Sequence, residues 1–116
     1  MKRLPLAALP VLLAALLPAA GLAADNAPET ADYKLIIEKH RWQPAEITIP
    51  ADQKVRLLIE NRDDTPEEFD SHDLNREKVM MGNTKATVFI GPLKPGRYKF
   101  QGEFHPDTAQ GVVIVK

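Results

Sequence analysis

Short runs of β-branched and aromatic residues, separated by turn residues, constrain the fold of this chain more than any other feature. Each run is four to six residues long, which is the usual length of a β-strand. The runs cover residues 33–38, 46–49, 55–60, 85–90, 97–101 and 112–115. Many short strands divided by Pro, Gly, Asn and Asp are typical of a β-sandwich. The pattern therefore predicts an all-β sandwich of about seven strands.

One segment, residues 71–81, departs from the short period of the strands. Leu74, Lys78 and Met81 recur there at helical spacing, and Gly82 follows at a place where a helix could end. We therefore predict one short helical insertion between two strands of the sandwich.

The N-terminal segment has the three-part layout of a secretory signal peptide. Lys2 and Arg3 precede an apolar run over residues 4–17, and small residues follow over residues 18–24. The apolar run is shorter than the ~20 residues that a membrane-spanning helix needs. We predict a signal peptide over residues 1–23, a flexible leader over 24–31 and a folded domain over 32–116.

Composition limits the setting and the partners of the domain. Removal of residues 1–23 takes away two of the 15 basic residues and none of the 16 acidic ones, which leaves 93 residues with a net charge of −3. The basic residues are scattered, so no nucleic-acid surface is expected. An exported domain without cysteine suits a bacterial periplasm, and nothing in the pattern indicates an oligomer. We predict a periplasmic monomer.

The absence of cysteine also limits the chemistry. It excludes disulfides, iron–sulfur clusters and thiolate metal sites, so a metal would have to bind through His, carboxylate or Met. The chain has no Gly-x-Ser-x-Gly motif and no phosphate-binding glycine loop. A hydrolase or a nucleotide enzyme is therefore poorly supported.

Four stretches of the chain resemble the cupredoxin fold. They are Trp42-x-Pro44-x-x-Ile47-x-Ile49-Pro50, Val55-x-Leu57-x-Ile59-x-Asn61, Leu93-x-Pro95-Gly96-x-Tyr98-x-Phe100, and His105 with Gly111. More narrowly, residues 68–71, 74–78, 91–96 and 104–111 are similar to the EfeO-type, cysteine-free cupredoxins. The resemblance implies a Greek-key β-sandwich and a small periplasmic protein of bacterial iron uptake. Its implied partners are iron ions and a high-affinity iron permease.

The same resemblance shows where this chain differs from the blue-copper proteins. Gly102 stands where those proteins carry the cysteine ligand, and Gln110 stands where they carry methionine. Glu67 and Glu68 stand near the position of their first histidine ligand. His105 alone matches a ligand position, that of the C-terminal histidine. A bound metal should therefore give no blue thiolate site.

The candidate metal site is built around His105. Glu103 lies two residues before it, while Glu68 and Asp70 are alternate residues that would share one face if this segment is extended. The full set consists of His105, Glu68, Glu103 and Met80 as ligands, with Asp70, Glu77 and Asp107 as residues that orient them. A solvated acidic strand edge is the alternative for the carboxylates.

The methionines and the other two histidines lie near this set. We expect Met81 to pack in the core, and the role of Met80 is left open between core and ligand. His40 and His72 match no ligand position and are interpreted as surface residues.

Three functions remain open at this point. Imidazole and carboxylate donors suit Cu(II), and also iron or manganese. Copper could accept an electron from Fe(II), which would make the protein a ferrous-iron oxidase or an electron relay. The acidic residues could instead carry a metal ion without redox change. In the third hypothesis, the sandwich is a metal-free module that docks on an iron permease.

Overall fold

The computed structural model describes residues 1–5, 7–8, 10, 14–15 and 30–116. Most of the predicted signal peptide and leader lies outside the described residues, so both assignments stay predictions. Within the described residues there are nine strands: β1 (Ala31–Glu38), β2 (Arg41–Gln43), β3 (Glu46–Ile49), β4 (Val55–Asn61), β5 (Glu67–Ser71), β6 (Arg76–Met80), β7 (Lys85–Ile90), β8 (Gly96–Gly102) and β9 (Gln110–Val115). The part of the chain that the structure describes has no helix of the length and apolar character needed to span a bilayer.

The strands form two sheets. The first has the order β2-β1-β4-β7, and the second has the order β3-β9-β8-β5-β6. The pairs β1/β4 and β3/β9 are parallel, and the other pairs are antiparallel. Because the chain crosses repeatedly from one sheet to the other, its connectivity is that of a Greek-key sandwich. The predicted all-β sandwich is confirmed.

The core lies between the two sheets. Alternate residues of β4, namely Val55, Leu57 and Ile59, are fully buried, as strand geometry requires for one inward face. Phe69 and Phe100 face them from the second sheet. The Trp42 ring packs edge-on against both phenylalanines, at centroid distances of 5.9 and 5.6 Å. Burial of each large side chain stabilises the fold by about 1.5–3 kcal/mol.

The predicted helical insertion is wrong. Residues 72–75 form a tight turn, and the chain returns as strand β6, antiparallel to β5. Ser71 explains this choice, because its buried hydroxyl accepts from the Leu74 backbone N–H at 3.0 Å and donates to the Lys99 carbonyl at 2.6 Å. Asn75 then takes a left-handed conformation (φ 52°) that reverses the chain. The side-chain hydrogen bond at the turn outweighs the helical spacing.

This hairpin also determines where the two methionines lie. Met80 ends β6 on its inward face and is buried, whereas Met81 is 63% exposed just beyond the strand. The prediction that Met81 packs in the core is therefore wrong. In a strand, adjacent side chains point to opposite sides, so only one of the pair can reach the core.

Candidate functional site

His105 lies in the loop that joins β8 to β9, at one end of the sandwich. Its N–H donates to the Gly102 carbonyl at 3.1 Å, and its carbonyl accepts from the Ala109 N–H at 2.9 Å. Pro106 follows and restricts the loop backbone. The loop is therefore an ordered turn that presents a half-buried imidazole.

The carboxylate of Glu67 anchors that imidazole. Glu67 begins β5 on its inward face and is 2% exposed, and its Oε2 lies 2.6 Å from Nδ1 of His105. Its Oε1 accepts from the backbone N–H groups of Glu68 at 2.9 Å and Phe104 at 3.0 Å. Because a carboxylate only accepts, Nδ1 of His105 is the donor. In the neutral ring, the free lone pair then lies on Nε2.

Glu67 occupies the space that a side chain at position 102 would need. A Cβ placed on Gly102 would lie 2.7 Å from Cδ of Glu67 and 2.7 Å from Cβ of Ala109. Both distances are far shorter than van der Waals contact. The resemblance to blue-copper proteins assigns this position to the thiolate ligand. In this chain, the Glu67 carboxylate and the Ala109 methyl group fill the space that such a ligand side chain would occupy.

The His40 ring is stacked on one face of the His105 ring. The two ring centroids are 3.5 Å apart and the ring planes differ by 9°, which is a close parallel stack. His40 is partly exposed, in line with the prediction of a surface residue, but its contact with His105 was not predicted. His72, in contrast, is exposed in the turn between β5 and β6, as predicted. No local sequence pattern could have shown the contact between His40 and His105.

Asp63 fixes the turn that carries His40. Lys39 and His40 form the two-residue link between β1 and β2, and both have a left-handed backbone, with φ of 52° and 56°. Their N–H groups donate to the two carboxylate oxygens of Asp63, at 2.7 and 3.0 Å. The N–H of Asp63 in turn donates to the buried side chain of Asn61 at 3.0 Å. The loop after β4 therefore determines where the His40 ring lies.

The predicted carboxylate ligands lie on a different surface. Glu68 and Asp70 share one face of β5, as predicted, but it is the outward face. Asp70 pairs with Glu77 across β5 and β6, and Glu103 accepts a hydrogen bond of 2.9 Å from Gln101. We call Glu68, Asp70, Glu77 and Glu103 the outer acidic cluster.

The outer acidic cluster affects the pKa of Glu68. Desolvation raises the pKa of Glu68, and the negative charges of Glu77, Asp70 and Glu103 raise it further. Neighbouring strand residues point to opposite faces, so the Glu68 side chain points away from the side on which Glu67 meets His105. The sequence analysis grouped these carboxylates with His105, whereas the structure places Glu68 and Asp70 on the face of β5 opposite to Glu67.

The remaining two candidates are Met80 and Asp107. Met80 is buried in the core beside Glu67 in the strand register, and Asp107 is exposed in the turn that follows His105. Within residues 30–116 and the few described residues before them, no three metal-ligating side chains form a ready-made cluster. The proposed ligand set stays a prediction.

Comparisons with known proteins agree with the observed fold. A family model described as a cupredoxin-like domain matches residues 6–115. An uncharacterized protein of Rickettsia prowazekii (strain Madrid E) is 48% identical over 84 residues, which are 72% of this chain and 67% of that protein.

Several solved structures share the fold. The metal-binding domain of the Cu(I)-exporting P-type ATPase CopA of Streptococcus pneumoniae D39, solved with Cu(I), superposes with a TM-score of 0.65 at 13% identity, over 76% of this chain and 88% of that one. Auracyanin from Roseiflexus castenholzii gives 0.63 at 15% identity, over 75% and 97% of the two chains. A purple cupredoxin from Nitrosopumilus maritimus gives 0.55 at 21% identity, over 73% and 100%. At these identities the likeness shows the fold alone.

Proposed function

The chain belongs to the cupredoxin-like domain family, and from this premise we propose that it binds copper through Nε2 of His105. We further propose that it does so as an exported, periplasmic component of iron uptake. The proposed export rests on the N-terminal segment, and the proposed iron-uptake role rests on the resemblance to EfeO-type cupredoxins.

The hydrogen bond between His105 and Glu67 carries the copper proposal. Histidines that bind metals through one ring nitrogen usually donate the other N–H to a carboxylate or carbonyl, which fixes the ring and makes the free nitrogen a better ligand. Glu67 supplies that arrangement, at 2.6 Å from Nδ1 and with both of its oxygens hydrogen-bonded. Nε2 of His105 is therefore the ring nitrogen that is available to bind copper.

The space between His105 and Glu67 is too small for the metal itself. Metal bonds to imidazole nitrogen and carboxylate oxygen are each about 2.0 Å long. Nδ1 and Oε2 are only 2.6 Å apart, so an ion between them would have to push the two groups apart. It would also disturb a carboxylate that two backbone N–H groups hold in place. Binding at Nε2 needs neither change.

The donor chemistry suits copper without a thiolate. Imidazole is a good ligand for Cu(II), and carboxylate or water can complete its coordination. Bound Cu(II) would supply a one-electron acceptor, and Fe(II) is a competent donor to it. Because no cysteine is present, the copper-loaded protein should lack the intense blue absorption of thiolate sites.

Copper titration of the purified protein tests this proposal. We expect His105→Ala to weaken Cu(II) binding by at least about tenfold, which corresponds to about 1.4 kcal/mol. His72→Ala is the matched control, because His72 is exposed on the turn between β5 and β6 and takes no part in the site. Equal Cu(II) affinity in the wild type and His105→Ala would overturn the proposal.

A carrier role without redox change is the second candidate. It is favoured by the small number of donors that the described residues gather at His105, since a weakly held ion is easily handed on. Anaerobic mixing of the copper-loaded protein with Fe(II) separates the two roles. A redox role predicts that the Cu(II) signal disappears while one Fe(III) forms for each copper reduced. A carrier role predicts that both ions keep their oxidation states.

A further inference from the structure

We propose that His40 is a second imidazole ligand of the copper site and that Asp63 is its positioning residue. This inference rests on the proposed function of His105 and extends it to a residue outside the β8–β9 loop. It assigns a role to the contact between the two rings and to the turn that carries His40.

The ring contact brings a second set of imidazole nitrogens to the site. The His40 and His105 rings are nearly parallel and their centroids are 3.5 Å apart, so the two imidazoles are in direct contact. The two rings are held differently. His105 is fixed by a 2.6 Å bond to buried Glu67, whereas Nε2 of His40 makes a long contact of 3.4 Å with Oγ1 of Thr65. His40 is therefore the ring that can turn more easily.

The backbone under His40 is costly to maintain. Left-handed conformations in residues other than glycine cost of order 1–2 kcal/mol each, and two-residue hairpin turns of this kind favour Asn-Gly. Histidine tolerates the conformation better than most residues do, but lysine is not among those that favour it. Lys39 and His40 keep it because Asp63 accepts both of their N–H groups. Strained backbone of this kind is found most often at functional sites. Here the strained turn places the His40 imidazole against the His105 ring.

The stack itself predicts a movement. The lone pair of an imidazole nitrogen lies in the plane of its ring, so the lone pairs of two parallel rings do not converge. An ion midway between these rings would lie about half of the 3.5 Å separation out of each plane, which is nearly the whole length of a ~2.0 Å metal bond. Copper can therefore bind both rings only if one turns. Because His105 is fixed by Glu67, we expect His40 to leave the stack when copper binds.

Electron paramagnetic resonance of the Cu(II)-loaded protein is the direct test. Hyperfine splitting from two imidazole nitrogens is expected in the wild type and from one in His40→Ala, together with an affinity about tenfold weaker. His72→Ala should match the wild type in both measurements. Asp63→Asn keeps one acceptor for the turn but loses the other, so we expect it to lower the share of two-nitrogen sites while copper stays on His105.

The outcomes separate this inference from the proposed function. One imidazole nitrogen in the wild type, or unchanged copper affinity in His40→Ala, would overturn the role of His40 while copper binding at His105 stands. Absence of copper binding in the wild type would overturn both. If His40→Ala alters the thermal unfolding curve of the copper-free protein, His40→Gln, which keeps a comparable side-chain size, repeats the comparison with the same expectation.

Discussion

Nδ1 of His105 lies 2.6 Å from Oε2 of the buried Glu67, and this contact joins the β8–β9 loop directly to the first residue of β5. In the blue-copper proteins that the sequence resembles, the two corresponding regions carry metal ligands. In this chain, a charge-assisted hydrogen bond connects the two regions without a metal ion. The loop can therefore be ordered before any metal binds.

Removal of the Glu67 carboxylate should destabilise the whole domain. Glu67→Ala leaves the N–H groups of Glu68 and Phe104 without their acceptor and opens a cavity, so we expect a loss of about 3 kcal/mol in the free energy of unfolding. Glu67→Gln keeps an acceptor oxygen and should lose about 1–2 kcal/mol. Urea unfolding measures both. A loss below about 0.5 kcal/mol for Glu67→Ala would contradict the structure.

A side chain at position 102 should conflict with Glu67. Gly102→Ala is expected to lower the free energy of unfolding by about 1–3 kcal/mol, because its Cβ would meet Cδ of Glu67 and Cβ of Ala109 at 2.7 Å. Gly96→Ala is the control, since a Cβ there meets its nearest neighbour, the Tyr98 ring, at 3.5 Å.

Combination of the two changes tests the cause of that conflict. If the Glu67 carboxylate is responsible, the loss caused by Gly102→Ala should be smaller in a Glu67→Ala background than in the wild type. Additive losses would show that Ala109 alone accounts for the clash.

The turn between β5 and β6 should depend on the Ser71 hydroxyl. Ser71→Ala leaves the Lys99 carbonyl and the Leu74 N–H without this partner, and we expect a loss of about 1–3 kcal/mol in the free energy of unfolding. Thr48→Ala, at an exposed position of β3, should change it by less than about 0.5 kcal/mol. Equal, small effects of the two substitutions would mean that another contact forms the turn.

The outer acidic cluster should make stability depend on pH through Glu68. Desolvation and the charges of Glu77, Asp70 and Glu103 raise the pKa of Glu68, so the folded protein binds this proton more readily than the unfolded chain does. The contribution of this group to stability is therefore greatest at acid pH and is lost as pH rises through the folded-state pKa. Glu68→Gln should raise the free energy of unfolding at pH 7, and the gain should vanish in acid.

Glu60 provides a control of opposite sign. The hydrogen bond from Arg62 lowers the pKa of Glu60, so any stability from this exposed residue is present at neutral pH and is lost as pH falls through the folded-state pKa. Glu60→Gln should not stabilise the protein at pH 7. A stabilising effect of both substitutions would indicate a general effect of net charge rather than the local repulsion at Glu68.

Most of the sandwich could be predicted from the sequence because its strands bury one face. All six predicted runs became strands, namely β1, β3, β4, β7, β8 and β9, with boundaries within two residues. Strands β2, β5 and β6 were not predicted. The first has three residues, the second carries three carboxylates in five residues, and the third is exposed at four of its five positions. Their pairing with neighbouring strands overrides their weak local preference.

The candidate site was predictable only in part. His105 could be identified because it matches a ligand position. Glu67 could also have been found, since Phe69 must face the core and alternate residues of a strand share a face. The sequence instead favoured Glu68, which lies on the other side. His40 could not have been found, because its contact depends on how the β1–β2 turn meets a distant loop.

Nitrogen NMR of His105 tests the central claim most directly, before and after addition of Cu(I) without oxygen. This diamagnetic ion leaves the ring signals observable. The account predicts that Nδ1 keeps its proton and its bond to Glu67 in both states, while the Nε2 resonance moves on copper binding. Loss of the Nδ1 proton, with copper bound at that nitrogen and Nε2 unchanged, would contradict it.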